Sequence, residues 1–141
     1  MPGNLPTAKT WLRRARGNLT RARLFGGLEG TFYEDSCFDA QQAVEKAMKA
    51  VLINAHRAYP RTHAIADLIT NVEEAGIEVP NDVREAARLT VYAVSARYPG
   101  VSEEVAEAEY RTAIQLAERA IEWAESLVYP VDPDDDTSDP E

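Results

Sequence analysis

The amino-acid sequence predicts an all-α protein, folded as an antiparallel up-and-down helical bundle of four main helices and one short helix. Three observations lead to this fold class. Apolar residues recur every three or four positions along most of the chain, no useful stretch alternates apolar and polar residues as a strand would, and glycine or proline separates the periodic segments. The 141 residues, 45% apolar and 28% charged, suffice for one domain with a sizeable core.

The first helix is predicted from Ala8 to Leu24. Its apolar residues are spaced to share one helical face: Ala8, Trp11, Leu12, Ala15, Leu19 and Ala22. Thr7 is placed to cap the amino end of this helix, and Gly26 and Gly27 are placed to end it.

The second helix is predicted to begin near Glu34 or Asp35 and to end at Ala55. The acidic residues suit a helix amino terminus, and the apolar face that follows runs for about six turns. Because this face is the longest in the chain, we expect the second helix to be the central element of the bundle.

Two further helices are predicted after Pro60 breaks the chain. Thr62 is expected to cap a short helix that reaches about Glu74. A fourth helix should begin in residues 79–82 and end at residues 99–100, a Pro-Gly pair.

The last helix is predicted to begin at Ser102, which is followed by acidic residues as in a capping box, and to reach Tyr129. Residues 131–141 hold six acidic residues and no basic residue, which is typical of a flexible acidic tail. We therefore divide the chain into a bundle domain, residues 1–130, and a tail, residues 131–141.

Charge is sorted along the chain, although the net charge is −9. Ten basic and five acidic residues lie through His63, and five basic and nineteen acidic residues follow. Four basic residues of the first helix fall within an arc of about 80°, and we name them the basic stripe: Lys9, Arg13, Arg16 and Arg23. This stripe either pairs with acidic residues of later helices or contacts the phosphates of an RNA.

Several classes of protein are excluded by composition. No window approaches the apolar length of a membrane span, and the amino terminus lacks a signal-peptide pattern. One cysteine, Cys37, is expected to be a buried thiol, and a chain with this cysteine usage is expected in the reducing cytoplasm. One cysteine and two histidines are too few for a zinc site, and no glycine-rich phosphate loop occurs, so we expect no metal and no cofactor.

A candidate nucleotide or phosphate site is predicted from residues of the second, third and fourth helices: Lys46, Lys49, Arg57, His63, Arg97 and Tyr98. The spacing of Lys46, Lys49 and Arg57 places them along one stripe of the central helix. Arginine would bind phosphate through two hydrogen bonds, lysine would add a point charge, and Tyr98 would offer a ring to a base. These residues also have structural interpretations: solvated or ion-paired lysines, a capping or packing histidine, and an arginine bonded to the last carbonyls of a helix.

One segment resembles a known family. Residues 37–53, CFDAQQAVEKAMKAVLI, are similar to the signature helix of HEPN domains. Three other stretches agree with the small stand-alone branch of that family: Trp11 with its basic neighbours, Thr62-His63 with Leu68 behind, and residues 96–99, Ala-Arg-Tyr-Pro. Together these stretches cover about residues 8–128.

The resemblance implies a homodimeric bundle, often encoded beside a minimal nucleotidyltransferase in toxin–antitoxin or defence pairs. Apolar residues spread over more than one face agree with a dimer: Trp11, Phe38, Trp123 and Leu127. Many members of the family are metal-independent ribonucleases, and others look like non-catalytic binders of nucleotides or RNA.

The family's ribonucleases carry an arginine followed after four to six residues by a histidine. Arg57 and His63 have this spacing, but across the break at Pro60, and Arg97 has no histidine after it. We therefore favour a nucleotide- or RNA-binding subunit over an enzyme. The alternatives are a ribonuclease toxin, with Arg57 or Arg97 at the phosphate and His63 as general base, and a purely structural subunit.

Overall fold

A computed structural model of the protein describes residues 7–93 and 104–130. In these ranges the chain forms five α-helices and one 3-10 helix that continues directly from the fourth: α1 (Ala8–Phe25), α2 (Tyr33–Asn54), α3 (Ile65–Glu74), α4 (Asn81–Arg84), the 3-10 helix (Glu85–Ala93) and α5 (Glu107–Val128). The described residues contain no strand, so the predicted all-α class is confirmed.

Contacts between the helices give their directions. Arg16 bonds to Glu125 while Arg23, farther along α1, bonds to Glu118, so α1 and α5 are antiparallel. Asp82 contacts Arg119, whereas the later residue Tyr92 contacts Glu109, so α4 and the 3-10 helix also run against α5. Because α1 and α2 form a hairpin across the short loop 26–32, α1, α2, α4 with its 3-10 extension, and α5 alternate up and down as predicted.

The central position predicted for α2 is confirmed. It packs against α1, α3, the 3-10 helix and α5, and twelve of its residues are buried, so its buried surface extends beyond a single stripe. Many buried side chains of α2 and α5 are alanines, which let the helix axes approach closely.

The ends of α1 are fixed by a cap and by a close contact. Thr7 Oγ1 accepts a hydrogen bond from the Thr10 backbone N–H at 3.1 Å, which confirms the predicted cap. At the other end, a Cβ atom on Gly26 would collide with the hydroxyl and ring of Tyr110, a residue of α5. Only glycine leaves room for that tyrosine, whose Oη donates to the Ala22 carbonyl at 3.1 Å.

At the end of α2 the chain turns away from the helix axis, whereas the prediction placed Arg57 on the same stripe of the helix as Lys46 and Lys49. His56 has a left-handed φ of +59°, and the Arg57 backbone N–H bonds to the Leu52 carbonyl at 2.9 Å, as in a Schellman motif. The chain therefore leaves the helix axis before Arg57. The end of α3 has the same kind of turn with Gly76 at φ +87°.

Two of the later helices start or wind differently from the prediction. Thr62 does not cap α3: its Oγ1 accepts from the Ala64 N–H at 3.0 Å and closes a turn before the helix, which begins at Ile65. The 3-10 winding after α4 follows from a buried set repeated every three residues, since three residues make one 3-10 turn: Val83, Ala86, Leu89 and Tyr92.

The last helix begins later than predicted. Residues 104–106 are not helical, and α5 starts at Glu107, because the Val105 N–H bonds to the Glu34 carboxylate of α2 at 3.2 Å instead of entering a helix. Ser102, the predicted cap, lies outside the described residues, as do the end of the predicted fourth helix and the tail, residues 131–141.

Candidate functional site

The polar cluster of the bundle is built around Glu45 in the middle of α2. This residue is 2% exposed, and its carboxylate accepts a hydrogen bond from Gln41, one turn earlier. Lys49 Nζ, one turn later, lies 3.9 Å from Oε1, and His63 Nδ1 lies 3.2 Å from Oε2. A buried carboxylate needs such partners, since an unpartnered charge in the core is costly.

Glu45 was not among the residues predicted for the site, so its central place was missed. A signal was present: Gln41, Glu45 and Lys49 follow one another every four residues through the helix with the longest apolar face. Polar residues with that spacing share one helical face, and here that face is buried.

Lys49 is held between two aromatic rings. Its Nζ lies 5.3 Å from the centroid of the Trp11 ring and 5.2 Å from that of Tyr59, and the two rings meet edge to face at 5.8 Å. With Glu45 beside it, this ammonium group already has three partners. The buried Trp11 Nε1 has no hydrogen-bond partner among the described residues.

His63 lies on the loop before α3 and not in its first turn. Its contact with Glu45 fixes one ring nitrogen, while the side chain as a whole remains 71% exposed. A carboxylate on Nδ1 favours the tautomer that carries its proton there, which leaves Nε2 able to accept a proton. His63 therefore combines a buried anchor with an accessible ring.

Lys46 and Arg57 do not join this cluster. Lys46 Nζ donates to Asn18 Oδ1 of α1 at 2.6 Å, and burial, with the charge of Arg14, lowers its pKa. The predicted stripe through Arg57 is wrong, because α2 ends at Asn54 and the Schellman turn directs Arg57 away from the helix. Arg97 and Tyr98 lie outside the described residues.

The basic stripe is divided by its contacts with α5. Arg16 binds Glu125 through two hydrogen bonds of 2.9 and 2.8 Å and also binds Glu118 at 3.0 Å, and these bonds raise the pKa of Arg16. Arg23 bonds to Glu118 as well. These contacts fit the explanation that the first helix pairs with later acidic residues.

The other two members of the stripe are placed differently. Lys9 Nζ lies 5.2 Å from the Tyr129 ring centroid at the end of α5. Arg13 is exposed on α1. Arg13 is thus the member of the stripe most accessible to a phosphate.

Cys37 is fully buried, which confirms the expected buried thiol. Burial, reinforced by the charge of Glu109, raises its pKa to about 12. A thiol with this pKa is protonated at neutral pH and is not a nucleophile.

These features define an all-α bundle around one central helix, with a largely buried polar cluster that reaches solvent at His63. The HEPN domain family model matches residues 8–127. The chain belongs to the HEPN domain family.

Solved structures support the same assignment. The TT1696 protein of Thermus thermophilus is 32% identical, with a TM-score of 0.76 over 87% of this chain and 99% of its own. ST0689, described as an archaeal HEPN homologue, is 28% identical, with a TM-score of 0.68 over 86% of this chain and 98% of its own.

A curated relative is also similar. "Putative toxin MJ1304" of Methanocaldococcus jannaschii is 38% identical over 69 residues, which are 49% of this chain and 43% of that relative. The match therefore spans less than half the length of the relative. Separately, no helix in the described ranges is long and apolar enough to cross a membrane.

Proposed function

We propose that this protein is a cytoplasmic, homodimeric HEPN subunit that binds a nucleotide or RNA and acts with a minimal nucleotidyltransferase in a toxin–antitoxin or defence pair. The observation that carries the proposal is the HEPN match over residues 8–127 together with the segment similar to a protein named as a toxin. Binding is favoured over catalysis because Arg57 and His63 lie on a loop and not on one helix.

The loop between α2 and α3 is the proposed contact with phosphate. Arg57 and His63 are both exposed on it, and the buried contact with Glu45 holds His63 in place. An arginine fork suits a phosphate because it donates two parallel hydrogen bonds, and the exposed Nε2 of His63 donates another when the imidazole is protonated.

The binding test uses fluorescence anisotropy with a short labelled RNA and with labelled nucleotides. We expect binding by the unmodified protein and a loss of about tenfold, or 1.4 kcal/mol, in the Arg57→Ala variant. Arg88→Ala is the matched control, because Arg88 is exposed elsewhere, on the 3-10 helix. Equal affinities of the two variants would contradict the assignment of the loop.

The partner test uses the neighbouring reading frames. We expect one of them to encode a nucleotidyltransferase that co-purifies with this protein and relieves growth arrest when the two are expressed together. Absence of RNA or nucleotide binding together with retained partner binding would favour the purely structural subunit.

A ribonuclease is the second candidate, and the Glu45–His63 contact of 3.2 Å is what favours it. With Nδ1 held by the carboxylate, Nε2 of His63 could take a proton from a 2′-hydroxyl while Arg57 stabilises the phosphate. We expect intact RNA after incubation with the purified protein in EDTA. Robust cleavage that His63→Ala abolishes would instead establish the ribonuclease.

A further inference from the structure

Exposed apolar side chains are concentrated at one turn of the molecule. Among the described residues, six large apolar side chains are exposed, and four of them fall within residues 24–32, between α1 and α2: Leu24 (67% exposed), Phe25 (42%), Leu28 (52%) and Phe32 (59%). We name these four residues the apolar turn. An exposed apolar patch of this kind often has a function, such as the binding of a partner.

Of the four residues that the sequence offered as evidence for a dimer, only Phe38 belongs to this region, where it lines the groove beside the turn. Trp123 is 6% exposed, and Trp11 and Leu127 pack against the core of the same chain. Within the described residues, the apolar turn is thus a better candidate for association than those side chains.

A groove with a cavity volume of about 510 Å³ adjoins the apolar turn, between the end of α1 and the beginning of α2. All three phenylalanines of the chain line it: Phe25, Phe32 and Phe38. Arg21, Asp35 and Asp39 form part of its polar lining. The surface therefore has an apolar centre and a charged rim, which is the usual composition of a protein interface.

The turn is rigidly held. The Thr31 hydroxyl bonds to the Phe25 carbonyl at 2.8 Å and to the Leu28 carbonyl at 2.6 Å, and the Thr31 N–H bonds to the same Leu28 carbonyl at 3.0 Å. Gly27 and Gly30 supply the left-handed residues that the turn requires. An ordered apolar surface loses little conformational entropy on association.

The area suits a contact between two copies of the chain. At about 200 Å² for a whole large side chain, the apolar turn exposes roughly 400 Å². Two such surfaces face to face would remove about 800 Å² of apolar area from water, and their polar rims would add to this area toward the roughly 1,200 Å² that a small specific interface buries.

The charges of the rim are self-complementary. Arg21 has a side chain 68% exposed and lies 3.6 Å from Asp39, while Asp35 is exposed on the next helix. In a two-fold contact each residue meets a different residue of the other copy, so Arg21 of one chain can face Asp35 of the second. RNA binding is disfavoured at this groove, because the RNA phosphates would lie near one basic residue and two acidic residues.

We infer that the apolar turn and its groove are the two-fold contact through which a second copy of this chain binds, with Arg21 of each copy opposite Asp35 of the other. The inference rests on the homodimer of the proposed function and assigns the surface through which the two copies bind. It leaves the loop between α2 and α3 outside the contact.

The first test measures self-association of the full chain by sedimentation equilibrium from about 1 to 100 µM. Phe32→Glu should weaken the dimer by about tenfold or more, because a carboxylate would be buried at the centre of the contact. Val91→Glu is the matched control, since Val91 is 58% exposed on the 3-10 helix, and it should dimerise as the unmodified chain does. Circular dichroism melts should show that both variants fold.

The second test exchanges charges. Arg21→Asp and Asp35→Arg should each weaken the homodimer, because each places like charges opposite one another. Mixing these two variants should restore a dimer of one copy of each, since both contacts then pair opposite charges.

Four results would overturn the inference. If Phe32→Glu still dimerises, the proposed homodimer stands but this surface is not its contact. If the unmodified chain is monomeric throughout the concentration range, both the homodimer and the surface are wrong. If Phe32→Glu dimerises normally but no longer binds the nucleotidyltransferase, the surface belongs to that partner. Failure of the mixed variants to associate would reject the two-fold pairing of Arg21 with Asp35.

Discussion

Glu45 is a charged residue in the buried part of α2, with Gln41 and Lys49 one turn away on either side. Its carboxylate connects α2 to the loop that carries His63, and Lys49 stands beside it between two aromatic rings. The Glu45 carboxylate therefore stabilises the bundle and positions His63, whichever function the loop has.

Replacing Glu45 should cost more stability than replacing the histidine it holds. In Glu45→Gln the charge that balances Lys49 is lost inside the bundle, and we expect the free energy of unfolding to fall by about 1–3 kcal/mol. His63→Ala should change it by less than about 0.5 kcal/mol, because that side chain is largely exposed. Urea denaturation measures both values, and equal losses would contradict this difference in roles.

The turn at His56 stores a small amount of backbone strain. A residue with a Cβ atom is disfavoured at its φ of +59°, whereas glycine is not. His56→Gly should therefore raise the free energy of unfolding by up to about 1 kcal/mol. Gly76→Ala, in the matching turn after α3, should lower it by about as much or more. Thermal melts of both variants check the signs, and destabilisation by His56→Gly would show that the imidazole has a structural role.

At the scale of helices, the contact between α1 and α5 depends on pH. Burial alone would raise the pKa of Glu118, but hydrogen bonds from Arg23 and Arg16 outweigh it and lower that pKa below its ordinary value of 4.5. A carboxyl group whose pKa is lowered by folding stabilises the fold when the pH is above its ordinary pKa. This contribution is lost as the pH falls through the lower pKa of the folded state.

We therefore expect Glu118→Gln to reduce the acid dependence of stability between about pH 5 and 3. Glu122→Gln is the matched control, because Glu122 is exposed on the same helix. Urea midpoints measured across this pH range provide the comparison. Identical profiles for the two variants would mean that solvent screens the Arg16 and Arg23 bonds.

The helices also show how much of the fold could be predicted from the sequence. Three-and-four spacing located α1 and α2 to within one or two residues, because each buries a continuous face. The start of α5 was missed because a distant side chain, Glu34, takes the N–H of Val105. Arg57 was misplaced because a histidine adopts a conformation more usual for glycine.

The candidate site was harder to predict than the helices. Lys49 and His63 were identified from residue type, yet the carboxylate between them depends on the path of the loop after α2. No local pattern encodes such a path. The partners of Arg16 and Arg23 are likewise about a hundred residues away in the chain, and charge counting could suggest the pairing without naming the residues.

For the whole molecule, charge sorting predicts that the acidic tail competes with RNA for the basic stripe. The described part of the chain reaches Pro130, next to Tyr129, whose ring lies 5.2 Å from Lys9 Nζ of the stripe. Deleting residues 131–141 should raise RNA affinity at low salt and steepen its salt dependence, because more counterions are released.

Fluorescence anisotropy at several salt concentrations tests this expectation. A tail of equal length with its acidic residues replaced by asparagine and glutamine separates charge from chain length, and Arg13→Glu in the shortened protein should remove the gained affinity. Equal affinities and salt slopes for the full and shortened chains would mean that the tail only solubilises.

The contact between Gly26 and Tyr110 also has an evolutionary consequence. Because one volume holds either a Cβ atom at position 26 or the tyrosine ring at position 110, neither position can vary freely. Among homologues we expect the two to covary, with an aromatic residue at 110 wherever 26 is glycine and a smaller residue wherever 26 carries a side chain. The turn between α1 and α2 would then have diverged by paired replacements, with the end of α1 and the start of α5 changing in the same lineages.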